Sequence, residues 1–339
     1  MRSFLKSAAG AVCLFALATS GCSAGPGTTS AASSRSPSPA ASGSAAPATA
    51  YAPYVSATTA SGNDSAGSPA AYNLAFVISS GSGCTPKWGG TRAVDDSAVA
   101  SRIAGLKESG ATVRVSFGGA SGKELAAVCD SAGELAEAYA EALDAAGATQ
   151  ADFDVEGDEL ADPDSVALRS EAIALLQQDR EDLAVSFTLP VMPSGLDSDG
   201  LALLESANDH GVQVSTVNIM TMNYGESYDG DMGDYALASA EAAHSQLKEV
   251  FGLSDAAAWR GMALTSMIGV NDVDGETFTL ADAAEVRSFA EEKGIAWVSM
   301  WATFRDQECE AGSEDSDDAS TDCSGVEQEP GAFARAFAG

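Results

Sequence analysis

The amino-acid sequence predicts an α/β protein built as one (β/α)8 TIM barrel over residues 51–339, and three observations predict it. Eight short apolar runs follow one another, at residues 52–58, 72–79, 112–118, 151–157, 183–190, 212–224, 261–269 and 295–304. Several are β-branched or almost continuously apolar, as strands buried on both faces are. Between them lie stretches of helical period, at 99–109, 132–145, 164–177, 234–250 and 280–293. Such alternation means parallel βαβ units, and eight of them close into a barrel. Finally, no Gly-x-Gly-x-x-Gly or phosphate-binding loop follows the first strands, which sets aside a doubly wound open sheet.

Ahead of the barrel, residues 1–22 read as an export signal. Arg2 and Lys6 supply its positive region, and residues 8–19 form an apolar run too short to span a bilayer permanently. Thr19-Ser20-Gly21-Cys22 resembles a bacterial lipobox, whose cysteine is lipidated after cleavage; ordinary cleavage slightly further on is the alternative. Residues 23–50 are nearly all Ala, Ser, Gly, Pro and Thr, a flexible tether with nothing to bury. The expected location is outside a bacterial cell, secreted or anchored on the outer face of its membrane. No folded module separate from the barrel is expected.

Cysteine usage fits that compartment. Cys13 belongs to the signal and Cys22 is the candidate anchor, leaving Cys84, Cys129, Cys309 and Cys323. An even number outside the cell reads as two disulfides. Three pairings are open. Cys309–Cys323 closes the shortest loop, and Cys84–Cys129 then follows by elimination.

Composition narrows the function. Hydrophobic residues make up 45% of the 339, enough for a sizeable core. Seventeen bases (17 Lys+Arg) against 49 acids give a net charge of −32, which repels phosphate backbones and anionic lipid. Nucleic acid is therefore not an expected partner. With only His210 and His244, a multi-histidine zinc site is set aside and a Ser-His-Asp triad has few candidates. The stretch 308–329 holds nine acids and no base, and reads as a solvated loop without a catalytic role.

The fourth run carries the chemistry. In Asp152-Phe153-Asp154-Val155-Glu156 the three acids recur at every second residue and share one face of a strand. Inside a barrel they cannot all ionise cheaply, so some proton affinities must rise, and Glu156 at the C-terminal end is placed to act as an acid. On this pattern alone, the solvated face of an edge strand is an equal alternative. A calcium loop is not, because its twelfth position is Pro163 instead of Glu.

Asp152-x-Asp154-x-Glu156 resembles the strand-four signature of family 18 glycoside hydrolases, the chitinase group. Ser116-Phe117-Gly118-Gly119 is similar to the family's SxGG on strand three, and Met220-Thr221-Met222-Asn223-Tyr224 stands where the family has Met-x-Tyr. Trp301 matches its sugar-stacking tryptophan on strand eight, with Arg305-Asp306 following as in a bacterial subgroup. The departures are Thr149 for the signature's first Asp, Val155 for an aromatic residue, and Gly225 for an Asp after the tyrosine, with Asn223 before it.

The resemblance implies hydrolysis of β-1,4 links between N-acetylglucosamine units, with retention, the substrate's own acetamido oxygen attacking the anomeric carbon. Glu156 is then the acid and base. Asp154 holds the acetamido N–H, Asp152 sits beneath it, and Tyr224 donates to the acetamido oxygen. Substrate binding falls to Trp301, Asn223, Ser116, Gly118, Gly119 and Met222, with Trp88 after strand two either binding an outer sugar or covering the barrel rim. No metal or organic cofactor is implied, chitin or its oligosaccharides are the partners, and the chain is expected to be a monomer. An endo-β-N-acetylglucosaminidase acting on glycoprotein glycans uses the same residues, and a silent sugar-binding barrel is the alternative outside enzymes; the presence of Glu156 favours an enzyme.

The charge excess yields a first prediction. Self-repulsion among 49 acids is poorly screened at low ionic strength. Moderate salt should therefore raise the melting temperature, and a calorimetric series from dilute buffer to molar salt showing a flat or falling response would contradict it.

Overall fold

Eight parallel strands close into a barrel in chain order. The computed structural model describes residues 48–310 and 322–339, all within one unit of the chain. The export signal, Cys22 and residues 23–47 of the tether lie outside the described residues. The strands are β1 (Ala50–Tyr51, continued by Tyr54–Ser56), β2 (Ala71–Ser79), β3 (Thr112–Gly118), β4 (Gln150–Asp154), β5 (Ala184–Pro190), β6 (Val214–Met220), β7 (Met262–Met267) and β8 (Trp297–Trp301). The first strand thus begins at Ala50, at the limit assigned to the tether.

Closure depends on the break in β1. Ala50 and Tyr51 pair with Trp297 and Val298 of β8, whereas Tyr54 to Ser56 pair with Asn73 to Ala75 of β2. Pro53 stands at the changeover, where its lack of an N–H costs nothing and its carbonyl accepts from the Asn73 N–H at 2.9 Å. One strand divided this way seals both edges of the sheet.

The helices longer than six residues, among the described residues, are α1 (Ser97–Lys107), α2 (Ala132–Ala146), α3 (Pro163–Asp179), α4 (Ser198–Asp209), α5 (Met232–Phe251), α6 (Leu280–Lys293) and α7 (Ala332–Ala338). Their starts are written in the sequence. Asp96, Ser131, Asp162, Asp197, Asp231 and Thr279 each accept a backbone N–H of the first turn. Gly147, Gly252 and Gly294 end α2, α5 and α6 in the left-handed conformation.

Among the described residues no helix separates β1 from β2. Turns at 57–70 take its place, tied by Asp64, which accepts from Arg102 at 2.9 Å and from Thr303 at 2.6 Å. Arg305 and Asp306 are structural in the same region. Asp306 accepts the Phe333 and Ala334 N–H groups and so caps α7, while Arg305 donates to the Val270 carbonyl.

Period-two alternation sorts the strand side chains. Phe117, Phe153 and Phe187 lie in register on β3, β4 and β5. They pack together under Tyr139 of α2, with ring centroids 4.7–5.8 Å apart. The alternate residues, Ser116, Asp152, Ser186 and Thr188 among them, face the interior.

Both disulfides form as the loop lengths suggest, Cys84–Cys129 and Cys309–Cys323. The second spans a separation of 14 residues, so the chain-entropy argument assigns it about 3 kcal/mol. Replacing both Cys309 and Cys323 by Ser should lower denaturant-unfolding stability by about that amount. Unchanged stability, or free thiols at both positions in non-reducing peptide mapping, would show that the bridge contributes nothing.

Candidate active site

Asp152 is buried at the centre of the barrel, 1% exposed. Its Oδ2 accepts from Tyr54 of β1 at 2.9 Å and Ser116 of β3 at 2.6 Å. Its Oδ1 accepts from Ser186 at 2.6 Å and Thr188 at 2.8 Å, both on β5. Four hydroxyls from three other strands therefore surround one carboxyl group, which suits a buried acceptor. The edge-strand alternative is settled by this geometry, since β4 is paired on both sides with its acids inward.

Asp154 lies one step further toward the C-terminal mouth, 4% exposed, with Oδ1 buried and without a hydrogen-bond partner. Burial, then the nearby Glu156 and Asp152 carboxylates, hold its proton affinity far above the ordinary carboxylate range. It shares a side-chain hydrogen bond with Glu156, which favours the proton on Asp154. Burial also pushes Glu156 up, to about 6, with the Asp272 carboxylate adding to the rise and the Asp154 bond opposing it. The neighbours are thus unequal: Asp154 keeps its proton while Glu156 titrates near neutrality.

The glycines of Ser116-Phe117-Gly118-Gly119 serve the backbone. Gly118 has φ +98°. A Cβ there would lie 2.1 Å from the Asp154 carbonyl oxygen, so only glycine lets β3 approach so closely. At Gly119, φ is +89° and a Cβ would meet the Phe76 ring at 2.9 Å. These glycines and Ser116, assigned to substrate binding by resemblance, instead position the acids, and Ala120 lines the cleft in their place.

Two adjoining cavities open at this end. Tyr54, Phe76, Asp154, Thr188, Asp272 and Trp301 line one; Pro190, Val191, Met192 and Asp197 line the other. Glu156, Met220, Met222 and Asn223 border both, so Glu156 stands at their junction. Trp301 stacks on Phe76, with ring centroids 5.5 Å apart and planes 19° apart, which fixes the indole as a platform.

The β6 loop corrects another reading. Asn223 adopts φ +54°, and the turn sends it and Tyr224 in different directions. Asn223 reaches the cleft, where its Oδ1 accepts the Asp272 N–H at 3.0 Å and its Nδ2 donates to the Asp272 carboxylate at 3.4 Å. Tyr224 is buried against Tyr228 and Tyr235, and its hydroxyl accepts from Ser239 of α5 at 3.3 Å. It lines neither cavity, so its assignment as the acetamido donor does not survive; Asn223 holds the exposed position. Trp88 is likewise fully buried, its indole N–H donating to the Val94 carbonyl at 3.3 Å, and it covers the rim without reaching sugar.

Several contributors were missed by sequence reasoning. Tyr54 and Thr188 follow the same alternation as the acids, so register against β4 was the signal that could have found them. Asp272 lies in an irregular loop after β7 and gives no sequence signal.

Carboxyl groups of split proton affinity beside a fixed tryptophan place the protein among the carbohydrate-active (β/α)8 barrels. No family model matches the chain. It is 36% identical over 275 residues to a probable bifunctional chitinase/lysozyme of Escherichia coli, covering 76% of this chain and 31% of that protein. It is 35% identical over 248 residues to endochitinase 11 of Metarhizium anisopliae, covering 69% and 47% respectively. The chain thus spans less than half the length of these curated relatives. Active domain 2 of the chitinase from Pyrococcus furiosus superposes with a TM-score of 0.75 at 29% identity, over 86% of this chain and 94% of that one. That domain has also been solved with chito-oligosaccharides. The chain belongs to glycoside hydrolase family 18.

The site predicts a pH-dependent stability. Glu156 binds its proton more tightly folded, at about 6, than at its ordinary value of 4.5. Its contribution is therefore complete below about 4.5 and is lost as pH rises through 6. Glu156→Gln, always neutral, should melt higher than wild type above neutrality, with the gap closing at acid pH. Calorimetry showing a constant gap would refute the assignment.

Proposed function

We propose that the protein is a chitinase that hydrolyses β-1,4 links between N-acetylglucosamine units with retention, by substrate assistance. The observation carrying this reading is the Asp154–Glu156 pair with its orphaned buried Asp154 Oδ1 beside Trp301. A retaining glycosidase with a protein nucleophile sets its carboxyl groups about 5 Å apart across the scissile bond. Here the two carboxyls are hydrogen-bonded neighbours and Asp154 is held protonated, so it is a poor nucleophile. An acetamido group of the substrate fits better: its carbonyl oxygen attacks the anomeric carbon, and Asp154 holds its N–H and steadies the oxazolinium. Glu156, titrating near neutrality, protonates the leaving oxygen and then takes a proton from the attacking water. Trp301 provides the apolar floor for the sugar. The relatives named for chitinase activity support the same substrate class.

Export, with a lipid on Cys22, is part of the proposal. Arg2, Lys6, the apolar run and Cys22 support it, and two disulfides suit an oxidising compartment.

Glu156→Gln preserves shape but has no proton to give. Turnover of chitin oligosaccharides should fall by at least about 100-fold while binding persists, since general acid catalysis contributes on that order or more. Wild-type kcat/KM should decline as pH rises through about 6. Near wild-type turnover by Glu156→Gln would falsify the acid's assignment, and inverted product anomers would exclude the acetamido route.

A further inference from the structure

The cavity on the far side of Glu156 has no role so far. Its volume is about 250 Å³. It lacks Asp154 and Trp301, and it shares Glu156 with the cavity that has them. A sugar seated on Trp301 with its acetamido group at Asp154 therefore sends its leaving group into this second space. The walls are Pro190, Val191 and Met192, with Met220, Met222, Asn223 and Glu156 on the shared side. Among the described residues no aromatic ring and no base lines it, and besides Glu156 the charged group there is Asp197.

Asp197 is fixed by the start of α4. Its Oδ1 accepts the Asp199 and Gly200 N–H groups at 3.1 and 2.9 Å, which leaves Oδ2 for a ligand. The loop carrying it is also built. Met192 and Gly195 exchange backbone hydrogen bonds at 3.0 and 2.8 Å. Gln246 of α5 bonds both the N–H and the carbonyl of Leu196, at 2.8 and 2.9 Å. Asp197 is an exposed residue beside apolar walls, and a carboxylate already fixed by its cap needs little reorganisation to meet a cation.

Resting on the proposed function, we infer that Asp197 is a specificity residue that selects a leaving-group sugar bearing a free amine, so that the bond between an N-acetylated unit and a following glucosamine is cleaved preferentially. Both an ammonium and an acetamido N–H can donate to the Asp197 carboxylate, but only the ammonium adds the attraction of a full opposite charge. The chemistry is unchanged. The anomeric C1–O bond breaks, the glucosamine oxygen leaves with the proton of Glu156, and water gives its hydroxyl to C1 and its second proton back to Glu156. The substrate class is thus partly deacetylated chitin, acetylated on the Trp301 side and cationic beyond the bond.

The test is digestion of partly deacetylated chitosan in mildly acidic buffer, followed by mass-spectrometric sequencing of the products. The share of glucosamine at new non-reducing ends is a ratio within each digest, so absolute rates do not enter it. General attraction of a polycation to this acidic protein accelerates every cut and leaves the ratio alone. For wild type, glucosamine should be enriched about threefold over its statistical share, as an exposed ion pair supplies. Asp197→Asn should return it to the statistical share, and Asp197→Ser should do the same; both residues still cap α4. A statistical share in wild type, or enrichment that survives both substitutions, would overturn the inference. Wild type inert on fully acetylated oligosaccharides would instead bring down the proposed function, and the inference with it.

Discussion

The site depends on the way one carboxyl group, Asp152, is held inside the barrel. An isolated buried carboxylate costs far more free energy than a folded domain has to spare. Here Tyr54, Ser116, Ser186 and Thr188 each donate a hydroxyl to it, from strands on both sides of β4 and from β1 beyond β3 and β2. Those donors converge only if the barrel is closed, and closure requires β1 to divide at Pro53 between β8 and β2. Polar satisfaction at the centre and chain topology at the edge are therefore one constraint.

That constraint sets the proton affinities above it. With Asp152 fixed beneath, Asp154 is enclosed by burial and by two neighbouring acids, and it retains its proton. Its hydrogen bond to Glu156 opposes the rise that burial imposes on Glu156, which settles at about 6. Gly118 permits the close approach of β3 to the Asp154 backbone, and Phe117, Phe153 and Phe187 lock the same strands against the helices. Packing on the outer face thereby sets the spacing of charges on the inner one.

The mouth of the barrel is organised by loops. The left-handed conformation of Asn223 separates two consecutive residues, sending Asn223 to the cleft and Tyr224 into an aromatic cluster beneath α5. The reciprocal contacts of Asn223 with Asp272 join the β6 and β7 loops across the cleft. Asp272 in turn raises the proton affinity of Glu156. A residue without any sequence signal thus bears directly on the acid.

By itself the sequence determined the barrel, its strands, the helices α1, α2, α3, α5 and α6, the two disulfides and the acids of β4, through local periodicities and loop lengths that a linear reading contains. Trp301 was legible through the family resemblance. Asn223 was assigned to substrate binding through the same resemblance, and it borders both cavities. Tertiary structure decided the rest. Whether the acids faced the interior or solvent was open until both neighbours of β4 were known. Tyr224 and Trp88 carried the right chemistry for sugar contacts, but a turn at Asn223 buried the first, and antiparallel pairing of Pro86–Trp88 with the end of β2 buried the second. Ser116, Gly118 and Gly119 proved to support the acids, because their meaning lies in distances to Asp152 and Asp154 across the sheet. Pairing register and loop conformation bring together residues far apart in the chain, and no single-chain pattern records that distance.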